Sequence, residues 1–329
     1  MLQTPPLKPR LTQARAELTR QISVVNEFGE SSQVHIPAER ALTVYLDKKE
    51  LVTLMTLGAS PEWLVLGFLL NQRLIQSVTE IESITVDWSL GEGEMGQPGV
   101  AAIKTRDGLS QAGPKTAARV VTTGCGQGSV FGDLVSDIDA IQLPADAHIS
   151  QATLYALVNA IRIQETTYKS SGSVHGCALF KGSDMLMFVE DVGRHNAVDT
   201  IAGWMVMNDV SGHDKVFYTT GRLTSEMVIK SAQMGVPIAV SRSGITQMGL
   251  EVAERLHAIR AWDAHAAEMV LLTPDACAFA YRDSRFKQEP GRWVITAVQF
   301  RLPCAWQARL SYPDLQRHPS LADPGRITA

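Results

Sequence analysis

Between residues 177 and 256 the chain repeats one pattern three times: a short apolar run, a loop dense in polar residues, then a stretch with helical spacing. Runs 177–180 and 185–189 lead to the polar loop 190–196 and a helix through Met207. Run 215–219 leads to Gly221-Arg222 and a helix over 225–234, and run 237–240 leads to Ser241-Arg242-Ser243-Gly244 and a helix near 245–256. Strand, polar loop and helix in regular succession are the signature of βαβ units around a largely parallel sheet. The punctuation agrees, with Thr224 placed to cap the second helix, Glu226 in its positive first turn, Gly235 as a left-handed stop and Pro237 after it. In such sheets ligands sit beyond the carboxyl ends of the strands, so loops 190–196, 220–226 and 241–246 are expected to gather at one edge.

The preceding sequence has a different texture. Residues 1–20 are Pro-rich and then charged, and read as a disordered arm. Residues 21–149 read as a small α+β domain, with strands over 41–46, 81–88, 101–105 and 120–123. Its helix opens at Ser60-Pro61, a cap followed by proline at the first helical position, and runs to Leu70. A second domain spans 150–256, opening with a helix over 150–166 that carries Leu154, Leu157, Val158 and Ile161 on one face. A tail occupies 257–329. A chain of 329 residues has room for two such cores. Hydrophobic residues make up 45% and charged residues 19%, a globular balance, and a net charge of −4 argues against nucleic-acid or anionic-membrane partners. The longest apolar run, 63–70, is too short to span a bilayer, and the N-terminus lacks the apolar core of a secretory signal. Four cysteines (Cys125, Cys177, Cys277, Cys304) without a Cys-x-x-Cys give neither a disulfide scaffold nor a zinc ribbon, so a reducing cytoplasm is the expected setting.

Two segments carry the chemistry. In Thr122-Thr123-Gly124-Cys125-Gly126-Gln127-Gly128 a cysteine sits among glycines at alternate positions, a backbone that turns sharply and can present a thiol. An exposed thiolate is a nucleophile and a sulfur acceptor, whereas a cysteine buried in a glycine turn is inert. The spacing matches neither a dinucleotide fingerprint nor a P-loop. The second segment is Glu190-Asp191-Val192-Gly193-Arg194-His195-Asn196-Ala197-Val198-Asp199. Asn196 can cap the helix and Asp199 suits its first turn, but Arg194 and His195 oppose the positive helix end unless an anion sits there too. Gly221-Arg222 and Arg242 repeat the idea, and three arginines at three helix feet point to a phosphate-bearing ligand. His175, in Ser173-Val174-His175-Gly176-Cys177, reads by itself as a hydrogen-bonded structural histidine. A zinc deaminase would need His-x-Glu and a later Pro-Cys-x-x-Cys, and neither is present, so no zinc is expected.

Together, TTGCGQG, SGSVHGCALF, EDVGRHNAVDTIAG and TTGRLTSEMVIKSAQMGVPIAVSRSGITQMGLEVAERL resemble the formate dehydrogenase accessory sulfurtransferase family (FdhD/NarQ) over about residues 20–256. The resemblance implies an α/β fold: a cytidine-deaminase-like α/β/α sheet domain without zinc, preceded by the smaller α+β domain. It implies a cytoplasmic, homodimeric sulfur carrier that takes sulfur from a cysteine desulfurase as a persulfide on Cys125. That sulfur passes to the molybdenum cofactor (bis-molybdopterin guanine dinucleotide) required by formate dehydrogenase. His175, Arg194, His195, Asn196, Gly221 and Arg222 would hold the cofactor's phosphate or guanine part. Many members carry Cys-x-x-Cys in the glycine loop, and here Gly128 stands in the second position. A zinc-free pterin or guanine-nucleotide chaperone is the competing reading. The tail is atypical, because the family's Phe-x-Arg-Gly stretch is missing after Leu256. It resembles instead an internal fragment of UDP-N-acetylenolpyruvoylglucosamine reductase (MurB), with Arg282 and Tyr312 at matching positions. Without that family's flavin-binding half no flavin is expected, and 281–287 with 293–302 should form a short hairpin-like or partly disordered appendage, or replace the lost family strand at the edge of the sheet.

Overall fold

The computed structural model describes residues 7–88, 98–106, 108, 119–121, 141, 143–144, 147–164, 166–254, 258–263, 268–272, 275–277, 284–289 and 292–299. The first sheet has the order β1-β6-β7-β4-β5-β8, formed by β1 (Arg10–Leu11), β4 (Arg40–Leu46), β5 (Lys49–Thr56), β6 (Ile81–Asp87), β7 (Gly99–Thr105) and β8 (Arg119–Val121). Strands β2 (Thr19–Val25) and β3 (Ser31–Pro37) pair only with each other. Helix α1 (Pro61–Asn71) begins where Ser60-Pro61 predicts, although the Ser60 side chain makes no capping bond. It is apolar nearly all round and largely enclosed, with Leu64, Val65, Leu66 and Leu69 buried and only Trp63 and Leu70 half-buried.

The chain is in place well before the expected end of the disordered arm at residue 20. From residue 7 onward it is held, because Glu62 is buried in the first turn of α1 and its carboxylate needs donors. Thr12 Oγ1 and Ala14 N each donate to Glu62 Oε1 at 2.6 Å, and β1 pairs in parallel with β6.

The second sheet, β10-β9-β11-β12, comprises β9 (His175–Lys181), β10 (Asp184–Asp191), β11 (Lys215–Thr219) and β12 (Ile238–Ser241). Around it lie α2 (Gln151–Gln164), α3 (Thr167–Ser171), α4 (Arg194–Met207), α5 (Ser225–Gln233) and α6 (Gln247–Glu254). Alternate side chains sort the helices onto two faces. Cys177, Leu179 and Phe217 pack with Val198, Ile201, Met227 and Ile229 from α4 and α5. Ala178, Phe180, Val216 and Tyr218 pack with Leu154, Leu157 and Ile161 from α2. The expected mixed α/β class is therefore observed, but the sheet is not largely parallel. Strand β9 runs antiparallel to both β10 and β11, and only β11 and β12 are parallel. Two residues, Gly182 and Ser183, connect β9 to β10, and a parallel crossover needs a dozen or more. The reversal brings His175, at the start of β9, opposite Asp191 at the end of β10, while Thr219 at the end of β11 faces both Cys177 and Ser241.

The two sheets are joined through α1 and α4, whose backbones touch at Gly67 and Gly203. A Cβ at Gly67 would lie 1.8 Å from Asp199 O, and one at Gly203 would lie 2.0 Å from Trp63 O. Only glycine fits at either point.

In the tail, β13 (Ala258–Asp263), β14 (Glu268–Leu272) and β15 (Trp293–Gln299) form a third sheet, β14-β13-β15, antiparallel throughout. The expected hairpin of 281–287 with 293–302 is not seen among the described residues: α7 (Arg285–Gln288) occupies part of the first segment, and 281–283 lie outside them. Strand β15 is paired rather than hanging free. At its start Trp293 Nε1 donates to Glu289 Oε2 at 2.8 Å, and the Arg292 guanidinium lies 4.6 Å from the indole ring centre. Residues 300–302, Arg282 and Tyr312 lie outside the described residues. Among those described, no helix is long and apolar enough to cross a membrane.

Candidate anion-binding site

The segment 190–199 divides its polar side chains between building and binding. Helix α4 starts at Arg194 with Gly193 at the N-cap, so Asn196 lies inside the first turn rather than capping it. Glu190 reaches away from α4 to the start of α3, where its carboxylate accepts from Thr167 N at 2.8 Å and Tyr168 N at 2.9 Å. Asp191 joins the two sheets. Its Oδ2 accepts from Thr56 Oγ1 at 2.5 Å and Leu57 N at 3.1 Å, and its Oδ1 from Gly193 N at 3.0 Å and Asn196 Nδ2 at 2.9 Å. Burial pushes the Asp191 carboxyl up, and these four bonds pull it part of the way back. Asn196 Nδ2 also donates to Met55 O at 2.6 Å, so of the expected ligand-holding residues Asn196 belongs to the joint.

Arg194, Arg222, His175 and Gly221 do come together. Arg194 is only 8% exposed, yet its Nε has no hydrogen-bond partner among the described residues. A Cβ on Gly221 would lie 2.9 Å from Arg194 Cδ and 3.3 Å from His175 Nδ1, so the two side chains flank a glycine that leaves them room. Burial, then the charge of Arg222, lowers the Arg194 guanidinium; burial, then Arg194 and Arg222, lowers the His175 imidazole. Two cations thus face a neutral ring, with no carboxylate hydrogen-bonded to either arginine among the described residues. That arrangement is costly unless an anion enters.

His195 turns the other way, toward α5. Its Nε2 stands 3.4 Å from Glu226 Oε2 without hydrogen-bond alignment, and burial holds the ring neutral, down to about 3. Behind it runs a buried ionic chain. Lys230 Nζ lies 3.5 Å from Glu226 and donates to Asp199 Oδ2 at 2.7 Å, while Asn71 Nδ2 donates to Asp199 Oδ1 at 2.7 Å. Although burial alone would lower the Lys230 ammonium, the charges of Asp199 and Glu226 raise it above its usual range. Sequence reasoning missed this chain. Its one readable signal was Glu226 and Lys230, an acid and a base four residues apart on one helix. Thr224 occupies the N-cap of α5 as expected, but makes no capping bond, and its Oγ1 is buried without a partner.

The loops under the site are stitched together, as their position at the strand ends predicts. Thr219 Oγ1 accepts from Gly221 N at 3.0 Å, Ser241 Oγ donates to Gly221 O at 2.8 Å, and Ser243 Oγ donates to Thr220 O at 2.6 Å. The third arginine, Arg242, stacks over the Tyr168 ring at 5.6 Å. A separate cleft of about 600 Å³, lined among others by Asn71, Arg73, His213 and Gln233, contains none of the expected ligand-holding residues.

Cys125 and its glycine loop lie outside the described residues, as does Cys304. The two described cysteines cannot serve as exposed thiolates: Cys177 and Cys277 are both fully buried, and burial pushes the Cys177 thiol up to about 12.

Comparison with known proteins places these features in one family. Residues 37–272 match the FdhD/NarQ family. The sulfur carrier protein FdhD of Bacillus subtilis (strain 168) is 32% identical over 233 residues, covering 70% of this chain and 86% of that protein. The sulfur carrier protein FdhD of Bacillus pumilus (strain SAFR-032) is 30% identical over 220 residues, covering 67% and 80%. A crystal structure assigned as a formate dehydrogenase accessory protein from Desulfotalea psychrophila shares the fold, with a TM-score of 0.58 at 24% identity over 78% of this chain and 97% of that one. The family match ends at residue 272 rather than near 256, so β13 and β14 fall inside it and the atypical stretch is shorter than the sequence implies. On this match and these relatives, the chain belongs to the FdhD/NarQ family.

Proposed function

We propose that this chain is a sulfur carrier serving formate dehydrogenase, with Cys125 as the carrying residue and the Arg194–Arg222 pocket as the seat of the sulfur acceptor. The Cys125 thiolate attacks the outer sulfur of a cysteine desulfurase persulfide. The donor's S–S bond breaks, the desulfurase leaves as a thiolate, and Cys125 becomes the persulfide. The acceptor is the molybdenum cofactor in its bis-molybdopterin guanine dinucleotide form, a substrate here. Its phosphate groups would take charge-assisted bonds from the two arginines. His175 and Gly221 shape the pocket around those groups. Asn196 acts at a distance, by fixing the first turn of α4 through Asp191. The working setting is the reducing cytoplasm, with the protein as a homodimer.

The observation that carries this reading is Arg194: a buried guanidinium whose Nε has no partner among the described residues, beside a second arginine, in a chain whose relatives are named sulfur carriers. The test is mass spectrometry of the full chain after incubation with a cysteine desulfurase and cysteine. The wild type should gain a reductant-labile sulfur and Cys125→Ala should gain none while melting at the same temperature. Guanosine diphosphate binding without any sulfur gain would replace the carrier with a nucleotide-binding chaperone.

A further inference from the structure

We infer that His175 is a conditional third cation of the pocket: it takes up a proton when a doubly charged oxyanion seats between Arg194 and Arg222, so the site favours such anions over singly charged ones. This rests on the pocket proposed above and specifies which charge it accepts.

The geometry is specific. A Cβ on Gly221 would lie 3.3 Å from His175 Nδ1 and 2.9 Å from Arg194 Cδ, so the two side chains line the same glycine, and the charges of Arg194 and Arg222 both act on the imidazole; an anion held by the two guanidinium groups would act on it too. The ring makes no hydrogen bond among the described residues, so neither nitrogen is committed to any of them. Among the described residues, the charged groups acting on it are Arg194 from α4 and Arg222 from the loop after β11. His195 stands nearby but is buried against Glu226. Asp191, opposite on β10, is fully occupied by its four donors. Without an anion, both arginines repel a proton from His175 and the ring stays neutral at neutral pH. A doubly charged anion cancels that repulsion and adds attraction. A singly charged one leaves the two arginines at most half neutralised. The bound state therefore has the higher histidine pKa, and by linkage the affinity rises as pH falls from the bound-state value toward the free-state value.

Sulfate is the probe, because it carries two charges and no proton that titrates near neutrality, so any proton taken up belongs to the protein. The full chain is titrated calorimetrically at neutral pH in two buffers of different ionisation enthalpy. The heat should differ between buffers by an amount equal to a substantial fraction of one proton per site, and nitrate should produce no such difference. His175→Asn should abolish the difference and weaken sulfate by about tenfold, the loss of one charge-assisted bond. In the unaltered protein, the His175 ring resonance should move toward its protonated position when sulfate is added, which keeps the inference testable if the variant fails to fold. Sulfate binding with equal heats in both buffers overturns the inference and leaves the pocket standing. So does proton uptake that survives His175→Asn but is lost in His195→Gln. Failure of both sulfate and guanosine diphosphate to bind removes the pocket itself, and the inference with it.

Discussion

Arg194 shows how much a single position in the first turn of a helix can be asked to do. The N-terminus of α4 repels a cation, burial strips the guanidinium of water, and Arg222 adds a like charge. The position makes physical sense as half of an anion clamp. Arg222, exposed and without a partner among the described residues, is the cleaner half to test. Arg222→Ala should weaken guanosine diphosphate by about tenfold, one charge-assisted bond, with the melting temperature unchanged. Calorimetric affinity equal to wild type would count against the clamp. At this scale the sequence was legible where chemistry was local: arginines at helix feet and a glycine beside one of them. It was not legible for Glu190, Asp191 and Asn196, whose partners are α3 and the end of β5. Nothing within ten residues of Asp191 announces that its carboxylate bonds Thr56, 135 positions away.

Helix α5 illustrates the same limit for elements. Its start, its end and its place after β11 follow from Thr224, Gly235 and the apolar run before it. What the helix carries inside does not, because the ion pair from Lys230 to Asp199 crosses to α4. Removing one partner of a buried pair strands the other charge, so Asp199→Ala should cost about 3–5 kcal/mol in chemical denaturation. Replacing both by apolar residues of similar volume should recover most of that. His195 adds a pH dependence with a definite sign. Its folded-state pKa, about 3, lies below the ordinary 6.5, so below 6.5 the unfolded chain binds a proton that the folded chain refuses. Its contribution to stability is complete above 6.5 and falls as pH drops toward about 3, by roughly 1.4 kcal/mol per pH unit. Measured against His195→Gln across that range, the wild type should show the steeper loss on acidification; parallel curves would contradict the assignment. The parallel-sheet expectation failed over one short turn, Gly182-Ser183, which was readable as a hairpin and decides the direction of β9.

At the scale of the molecule, rhythm led to the expectation of a small α+β part and a sheet domain, and the described residues hold separate apolar clusters around the first and second sheets. How the parts meet was not readable, since Gly67 and Gly203 look like weak points in their helices rather than a contact. The tail behaves likewise: its foreign-looking residues still supply β15, which pairs with β13 inside the three-stranded sheet. One consequence of the joint reaches beyond packing. Because Asp191 holds Leu57 N with one oxygen and the first turn of α4 with the other, the amide of Leu57 and the proposed anion clamp share a fastening. A ligand that binds only the closed arrangement must also disfavour openings that release Leu57, although no ligand atom need come near it. Amide exchange at Leu57 should therefore slow when guanosine diphosphate is added, while exchange in the hairpin β2–β3, which makes no hydrogen bond to Asp191, should not change. Equal slowing at both places would point to general stabilisation, and no slowing at Leu57 would uncouple the first sheet from the site.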